Sequence, residues 1–531
     1  MFKGFRRSAI FTVVVSASWL LSACTVTVPV IDSEKALQLN QERISRVRAE
    51  QKTVPGSMDL QDAIARALLY NLDYRAALMS EAMAQEDLSR SSYALWPQLA
   101  AGAGYSARNS YLLSVSKDPN TGQQTLQPST SSDKKGSTAQ LQLTWNALDF
   151  GLSYLRAKQK GNAALMAEEQ RRKAFQNIVQ EVTAAWWRAL AAQRMEPRLR
   201  ELRERVESAL ERSRKLEEMR LQGQFVALDY RRDLLLSLKR LSALEEEVLN
   251  ARNDLVRLTA LTPGQEFVLA DNNASPDPAW LPGLTREQMR LIALANRPEL
   301  RELNYRQRVA ALEGKVAVAS LLPSLSLSTG GRYDSNSYLI NNEWMDMNAQ
   351  FSFNLMGLAA LPSTLRYKKS MESAESLRAD AMTVAVLSQL DVALRAIQSD
   401  RSGWCISREL ERVASEKERQ YKARSSSLSG DELSQIRSEV ESVLAGLESA
   451  FSRAELEASQ AMLLSSLGVD PYPENLERSG PIEVATQMRT YFSKDLRSRL
   501  LNDSAALAAA PAGDGAISEP ALKSFEDVCK I

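Results

Sequence analysis

The sequence contains no histidine among its 531 residues. This absence removes the commonest general base and the commonest zinc ligand of proteins. The three cysteines, Cys24, Cys405 and Cys529, are too few for a disulfide framework, and we interpret Cys405 as a packed small apolar residue. The 66 lysines and arginines are balanced by 65 aspartates and glutamates, so there is no basic field to attract nucleic acid. We therefore expect no catalytic residue, no metal, no cofactor and no nucleic-acid partner.

Long apolar runs are also missing after Leu21, so the sequence predicts no transmembrane helix in the mature chain. The N-terminus itself has a basic start, a short apolar stretch over 9–21 and then Leu21-Ser22-Ala23-Cys24. This pattern predicts a signal peptide over 1–23, and its end resembles a bacterial lipobox, in which Cys24 is lipidated. By that resemblance, Thr25 favours the outer membrane and 24–56 is a lipid-anchored N-terminal segment. An ordinary signal peptide with an incidental cysteine remains the alternative.

Four segments alternate strictly between apolar and polar residues, which is the period of a β-strand with two different faces. The predicted strands cover about 98–110, 138–147, 324–334 and 344–355. One face carries large apolar side chains, namely Leu141, Leu143, Trp145, Phe351 and Phe353. The other face carries uncharged polar side chains, among them Gln142, Asn348 and Asn354. Strands of about ten residues fit a tilted membrane crossing, although half-buried hairpins of a soluble domain would show the same alternation.

The chain is duplicated, which is the most informative feature of the sequence. From Arg75 to Pro97 and from Arg301 to Pro323 the spacing is the same, and each proline ends a helix before an alternating segment. We divide the chain into a first repeat (57–266), a linker (267–284), a second repeat (285–470) and a partly disordered C-terminal extension (471–531). Four strands cannot close a barrel in lipid, where about eight are the minimum, so spanning strands require several chains in one barrel.

Each hairpin is followed by long helical segments. The first runs from about 151 to 221 with an expected break at Pro197, and it returns along a heptad seam through Leu234, Leu241 and Val248. The second runs over about 363–422 and returns over 431–467. Heptads alone would equally suit a soluble coiled coil.

The lipobox, the duplication, Arg297-Pro298-Glu299-Leu300 and the pair Trp145-Asn146 with Asp149-Phe150-Gly151 together resemble the TolC family of outer-membrane efflux ducts, in its lipoprotein branch. The resemblance covers roughly 57–469. It implies a mainly α fold with a membrane portion: a homotrimer with a twelve-stranded β-barrel continued by a coiled α-barrel that projects into the periplasm. It also implies passive export with a periplasmic adaptor protein and an inner-membrane pump, in contact with outer-membrane lipid. In this reading the apolar strand face meets lipid and the polar face meets the lumen.

In that family the tips of the helical hairpins form the gate and the adaptor contact. The family's tip pattern corresponds to Gly223 and Asp229 in the first repeat. The second repeat departs from that pattern, and the residues at or near its tip are Tyr421, Gly430, Asp431, Glu432 and Ser434. Ser434 stands where the family often has an acidic residue, and Asp431 and Glu432 also fit the simpler role of complementing a helix N-terminus. The sequence Leu355 to Pro362 departs from the family pattern as well. The alternative function is a lipid-anchored coiled-coil periplasmic scaffold without channel activity.

Overall fold

A computed structural model describes residues 30–50, 56–117, 119–124, 127–146, 149–218, 224–261, 265–270, 284–425, 432–470 and 481–494. The expected signal peptide 1–23, Cys24 and Cys529 lie outside these residues. The chain divides into two compact units, Met1–Pro55 and Gly56–Ile531. In the first unit the described part is mainly one helix, α1 (Ser33–Glu50), which begins where the Lys35 N–H donates 2.8 Å to the Asp32 carboxylate.

The second unit repeats one order of elements. The first half consists of α2 (Leu60–Tyr70), α3 (Leu72–Ser92), β1 (Gln98–Ala107), β2 (Lys135–Asn146), α4 (Asp149–Glu218) and α5 (Gln224–Leu258). The second half consists of α6 (Arg286–Asn296), α7 (Pro298–Ala319), β3 (Ser324–Asp334), β4 (Glu343–Ser352), α8 (Leu361–Ser425) and α9 (Glu432–Leu467). A further helix, α10 (Pro481–Lys494), follows within the C-terminal extension. Each half is thus two short helices, a hairpin and a long helical hairpin.

Both halves begin with a capping box, which satisfies the free N–H groups of the first helical turn. In α2 the Asp62 N–H donates 2.8 Å to Asp59, and the Asp59 N–H donates 3.1 Å to Asp62. In α6 the Gln288 N–H donates 3.2 Å to Thr285, and the Thr285 N–H donates 2.8 Å to Gln288. The duplication therefore extends to the local chemistry that starts each half.

The four strands form one antiparallel sheet in the order β1-β2-β3-β4. Three boundaries differ from the expected ones by three residues each: β1 ends at Ala107, β2 begins at Lys135 and β4 ends at Ser352. The expected strand 344–355 was too long because the Asn354 side chain accepts a hydrogen bond of 3.2 Å from the Gly357 N–H and caps a 3-10 turn over Leu355–Ala360. Phe353 and Asn354 therefore lie after the strand.

Helix α4 runs for 70 residues without interruption, so the expected break at Pro197 was wrong. Proline removes one backbone hydrogen bond from a helix interior. The packing on both sides compensates, since Ala192 and Leu199 are each 2 % exposed and belong to one apolar cluster with α5 and α9. At about 1.5 Å per residue, α4 is about 105 Å long.

The heptad seam of α5 is confirmed. Leu234, Leu241 and Leu255 are fully buried and Val248 is nearly so. This seam packs against Val206 of α4 and its neighbours, and Ile436 to Leu447 of α9 completes the cluster. A second cluster joins α6, α7, α8 and α9. The core is therefore made between helices, and the sheet contributes little to it.

A buried polar network ties the two halves together. Arg172 of α4 donates to the Asp470 carboxylate at 3.0 and 2.8 Å and lies 2.9 Å from Glu169. Gln176 donates 2.6 Å to the other oxygen of Asp470. Because a buried charge without partners is strongly destabilising, this arrangement fixes the end of α9 against α4.

The long helices α5 and α9 both end in the left-handed backbone region. Ala260 has φ 53° and Gly468 has φ 68°. A Cβ on Gly468 would lie 2.6 Å from the Arg297 nitrogen, so only glycine fits there. Arg297 in turn donates 3.1 Å to the Ser465 carbonyl, while Asn71, in the first half, donates 3.2 Å to the Leu258 carbonyl.

The described part of the C-terminal extension is helix α10, which packs against α2. Val484, Ala485 and Met488 are buried, and Arg489 donates to Asp59 at 2.9 and 2.7 Å. The sequence did not predict this helix. Cys405 is buried as expected, but it is disulfide-bonded, so our interpretation of it as a simple packed residue was incomplete.

Candidate functional site: the two-faced sheet and the helical tips

The four-stranded sheet has one apolar face and one polar face along its whole width. The pairing places Leu99, Leu143, Thr329 and Met347 in one row across the strands. The next row, Gln98, Thr144, Ser328 and Asn348, lies on the opposite face. Successive residues of a strand point to opposite faces, so the alternation of each strand adds up to two continuous surfaces.

The expected lipid-facing residues within the strands share the apolar face. Leu141, Leu143, Trp145 and Phe351 are 52, 40, 42 and 64 % exposed, so no other described part of this chain covers them. Gln142 and Asn348 lie on the other face, as the alternation predicts. Phe353 and Asn354 have no place in either surface of the sheet because β4 ends before them. Asn354 therefore does not lie on the polar face of the sheet as expected, and its side chain caps a turn instead.

Aromatic residues mark both ends of the apolar face. Trp145 and Phe351 lie at the end next to the helices, while Tyr105 and Tyr333 lie at the far end. Leu327, opposite Trp145, is six residues from Tyr333, or about 20 Å along the strand. Two aromatic belts around an apolar band are typical of strands that cross an outer membrane. Exposing a band of large apolar side chains to water is unfavourable. This face is therefore suited to an apolar environment.

The sheet is open within the described residues, because β1 pairs only with β2 and β4 only with β3. Both edge strands have ten residues, so each presents a long row of free backbone N–H and C=O groups. Such edges pair readily with another strand, and in lipid they must do so.

Of the expected tip residues, only some lie within the described part. Gly223, Gly430 and Asp431 lie outside it, and for Glu432 only the helical backbone is described. Asp229 is exposed and pairs with Arg232 at 3.1 Å on the same helix. Tyr421 and Ser434 are partly buried near the ends of α8 and α9.

In the halves of α4 and α8 that are remote from the sheet, a set of charges joins three helices, which no local sequence pattern predicts. Glu418 of α8 lies 3.1 Å from Arg198 of α4 and 2.7 Å from Lys422. Lys422 also lies 3.4 Å from Glu439 of α9, which pairs in addition with Arg205 of α4. Charges at helical spacing suggested a solvated face with partners on the same helix. The carboxylates of Glu418 and Glu439 differ from those of a solvated face because they are buried, and their burial cannot be read from the sequence.

The environment of Glu418 keeps it charged. Burial by itself would raise the pKa of this carboxyl group, but hydrogen bonds from Lys422 and Ser442 and the charges of Lys422 and Arg198 outweigh it and lower the pKa below the usual value. The hydrogen bond to Glu418 raises the pKa of Lys422 in turn. The link between α4 and α8 is therefore ionic at neutral pH.

The described residues contain neither a metal site nor a membrane-spanning helix. Among them no group of three or more acidic or cysteine side chains is placed to hold a metal ion. None of the described helices combines the length and the apolar character that crossing a membrane requires.

No protein-family model matches the sequence, and no curated protein matches it at the sequence level. Solved structures do match the fold. The CmeC outer-membrane channel of Campylobacter jejuni is 14 % identical, with a TM-score of 0.60 over 83 % of this chain and 93 % of that chain. The MtrE outer-membrane channel of Neisseria gonorrhoeae in its open state is 17 % identical, with a TM-score of 0.57 over 77 and 89 % of the two chains. The outer-membrane protein VceC of Vibrio cholerae is 14 % identical, with a TM-score of 0.56 over 77 and 96 %. The chain therefore has the fold of these outer-membrane channels, the fold that its resemblance to the TolC family predicts.

Proposed function

We propose that this chain is the outer-membrane exit duct of a tripartite efflux or secretion system, through which solutes pass from the periplasm to the exterior. The observation that carries the proposal is the sheet: its apolar face is exposed and bounded by aromatic residues at both ends, and its opposite face is polar. Helices α4 and α8, about 105 and about 98 Å long, leave the same end of this sheet and supply a long conduit. Solutes diffuse through such a duct, and no chemical step is required of its side chains.

The duct is a homotrimer in this proposal. Three copies of a four-stranded sheet supply twelve strands, and pairing β4 of one copy with β1 of the next removes every open edge. The helices of the three copies then continue the barrel. Trp145 and Phe351 face lipid, and Gln142 and Asn348 line the lumen.

The helical tips form the periplasmic entrance and the contact with a periplasmic adaptor, which an inner-membrane pump supplies with solute. Asp229, Tyr421 and Ser434 belong to this region, with the neighbouring Gly223 and the segment 430–432. The ionic link between Arg198 and Glu418 holds the long helices α4 and α8 together in their halves remote from the sheet. Adaptor docking dilates the entrance by separating these helices.

The proposal also includes lipidation of Cys24, which anchors the N-terminal segment to the outer membrane. Acyl chains contribute about 0.8 kcal/mol per buried methylene, so a multiply acylated cysteine holds firmly. Together with the barrel, this places the protein in the outer membrane with its helices in the periplasm.

The test is the conductance of the purified full-length protein in a planar bilayer. We expect discrete single-channel steps from the wild type and from a Cys24→Ala variant purified from membranes, because the barrel and not the lipid forms the pore. A lipid-anchored scaffold gives no steps, and its Cys24→Ala variant is recovered without detergent. That combination would overturn the duct.

A further inference from the structure

The polar face of the sheet is almost free of charge. Its side chains are glycine, alanine, serine, threonine, asparagine and glutamine along most of each strand, as in Gln142, Ser328 and Asn348. Three charged residues of the strands share this face: Arg332, Asp334 and Asp346. Asp334 is the last residue of β3, and its carboxylate accepts a hydrogen bond of 3.0 Å from the Asn336 N–H in the loop.

Arg332 and Asp346 form an ion pair across β3 and β4. The Arg332 Nε atom lies 2.9 Å from the Asp346 Oδ2 atom, and the two side chains are 43 and 38 % exposed. Asp346 stands directly opposite Gly330, so no side chain on that residue separates it from the diagonal Arg332. A Cβ on Gly330 would lie 2.5 Å from the Leu141 carbonyl oxygen, so the gap is fixed by the close approach of β2.

The same level of the polar face carries its bulkiest side chains. Arg332 is paired in register with Trp344, whose ring is partly exposed, and Gln140 and Gly102 complete the row. Arg332 and Trp344 lie near the ends of β3 and β4 that are remote from the helices, while Gln140 and Gly102 lie at about the middle of β2 and β1. In the duct this level belongs to the outer half of the barrel, where long side chains narrow the lumen.

We propose that Arg332 and Asp346 form a charge-balanced ring in the outer half of the duct, which contacts charged solutes of both signs as they leave. The inference rests on the proposed function, because it requires the polar face to line a lumen. In a trimer, three such pairs surround the lumen. Each cation is compensated by its carboxylate, so the ring accepts anionic and cationic groups while holding neither strongly.

A purely structural pair would behave differently. A cross-strand ion pair stabilises a hairpin, and loss of either partner then lowers stability in the same direction. In the charge-balanced ring, the two single variants change the ion selectivity of the channel in opposite directions. Removing the cation leaves three carboxylates in the trimer, and removing the carboxylate leaves three cations. The sign of the effect therefore separates the two roles.

The experiment measures the permeability ratio of potassium to chloride from reversal potentials across a salt gradient. We expect Arg332→Gln to raise this ratio about twofold or more over the wild type, Asp346→Asn to lower it by a similar factor, and the double variant to return to the wild-type value. The control is Glu343→Gln, a charge change on the apolar face of the same strand, which leaves the ratio unchanged. Assembly of each variant is checked by its native mass.

The outcomes are distinct for the two claims. If both single variants conduct with an unchanged potassium-to-chloride permeability ratio, the charge-balanced ring is overturned and the duct stays intact. Equal changes of this ratio in the Glu343 control have the same consequence. Absence of conductance in the wild type overturns the duct and the ring together.

Discussion

Arg198 of α4 and Glu418 of α8 lie 3.1 Å apart, one from each half of the duplicated chain. This contact fastens the long helix of the first half to that of the second, in the parts of both that are remote from the sheet. Glu418 is almost fully buried and is also paired with Lys422, so replacing Glu418 itself removes both ion pairs. The contact between the two long helices can therefore be weakened by a single substitution.

The first prediction concerns this link. Glu418→Gln removes the charge that Arg198 and Lys422 share, so we expect a larger open probability of the purified channel in bilayers. Glu409→Gln is the matched control, because Glu409 is on the same helix and pairs with Arg412 at an exposed site. An identical rise in both variants, or none in Glu418→Gln, would contradict the role of the link.

The same link gives a pH dependence. The pKa of Glu418 is lower in the folded protein than in the unfolded chain, so its stabilising contribution is fully present above the unfolded value of about 4.5 and is lost as the pH falls through the folded value. We expect the open probability of the wild-type channel to rise below about pH 4.5. The Glu418→Gln channel should not show this rise. Recordings between pH 7 and pH 3.5 measure it, and parallel curves for the two proteins would count against it.

The second prediction concerns Glu457 in α9, whose carboxyl group is buried without a hydrogen bond to one of its oxygens. Burial raises its pKa to about 7, although Arg453 opposes the shift. An acid with a raised folded pKa lowers stability as the pH rises from the unfolded value of 4.5 to about 7, and the full cost, up to about 3 kcal/mol, persists above that range. Glu457→Gln should therefore raise Tm at pH 8 and leave it nearly unchanged at pH 4.5.

The control for Glu457 is its neighbour Glu455, which is exposed on the same helix. Glu455→Gln should leave Tm within the error of measurement at both pH values. Equal gains for the two variants at pH 8 would mean that a general charge effect, and not burial of Glu457, is responsible.

The third prediction compares the two helix ends in the left-handed region. Ala260→Gly relieves a backbone conformation that costs alanine about 1 kcal/mol, so we expect a small rise in the apparent Tm. Gly468→Ala adds that cost and a contact of 2.6 Å with Arg297, so we expect a clear fall. Thermal unfolding of the detergent-purified protein measures both, and shifts of the same sign would refute the assignment.

The fourth prediction separates the two faces of the sheet with adjacent residues. Leu143→Arg places a cation against lipid, which costs about 2–4 kcal/mol near the middle of a bilayer. Gln142→Arg places the same cation on the polar face, where water solvates it. We expect a large loss of assembled protein in the outer membrane for Leu143→Arg only. Equal tolerance of the two changes would indicate that neither face meets lipid.

The sequence predicts most of the sheet and the helical seam because both are periodic. A strand repeats every two residues and a heptad seam every three or four. The local pattern therefore predicts which face Leu143, Gln142 and Leu241 occupy. The end of β4 was misplaced because Asn354 continues the alternation but is used as a cap. Pro197 was expected to break α4, and only the burial of its neighbours explains why it does not.

The candidate site was less accessible from sequence. The partners Arg198 and Glu418 are 220 positions apart, and each lies among many charges with identical local spacing. The same holds for Arg332 and Asp346, whose meeting depends on the register of β3 and β4. Such contacts follow from the tertiary arrangement, which no local pattern records.

The most direct test of the account is the native mass of the detergent-extracted protein, corrected for bound detergent. We predict a mass of three chains, because three four-stranded sheets close one barrel and leave no edge of β1 or β4 unpaired. A stable monomer would leave both edges open and contradict the duct.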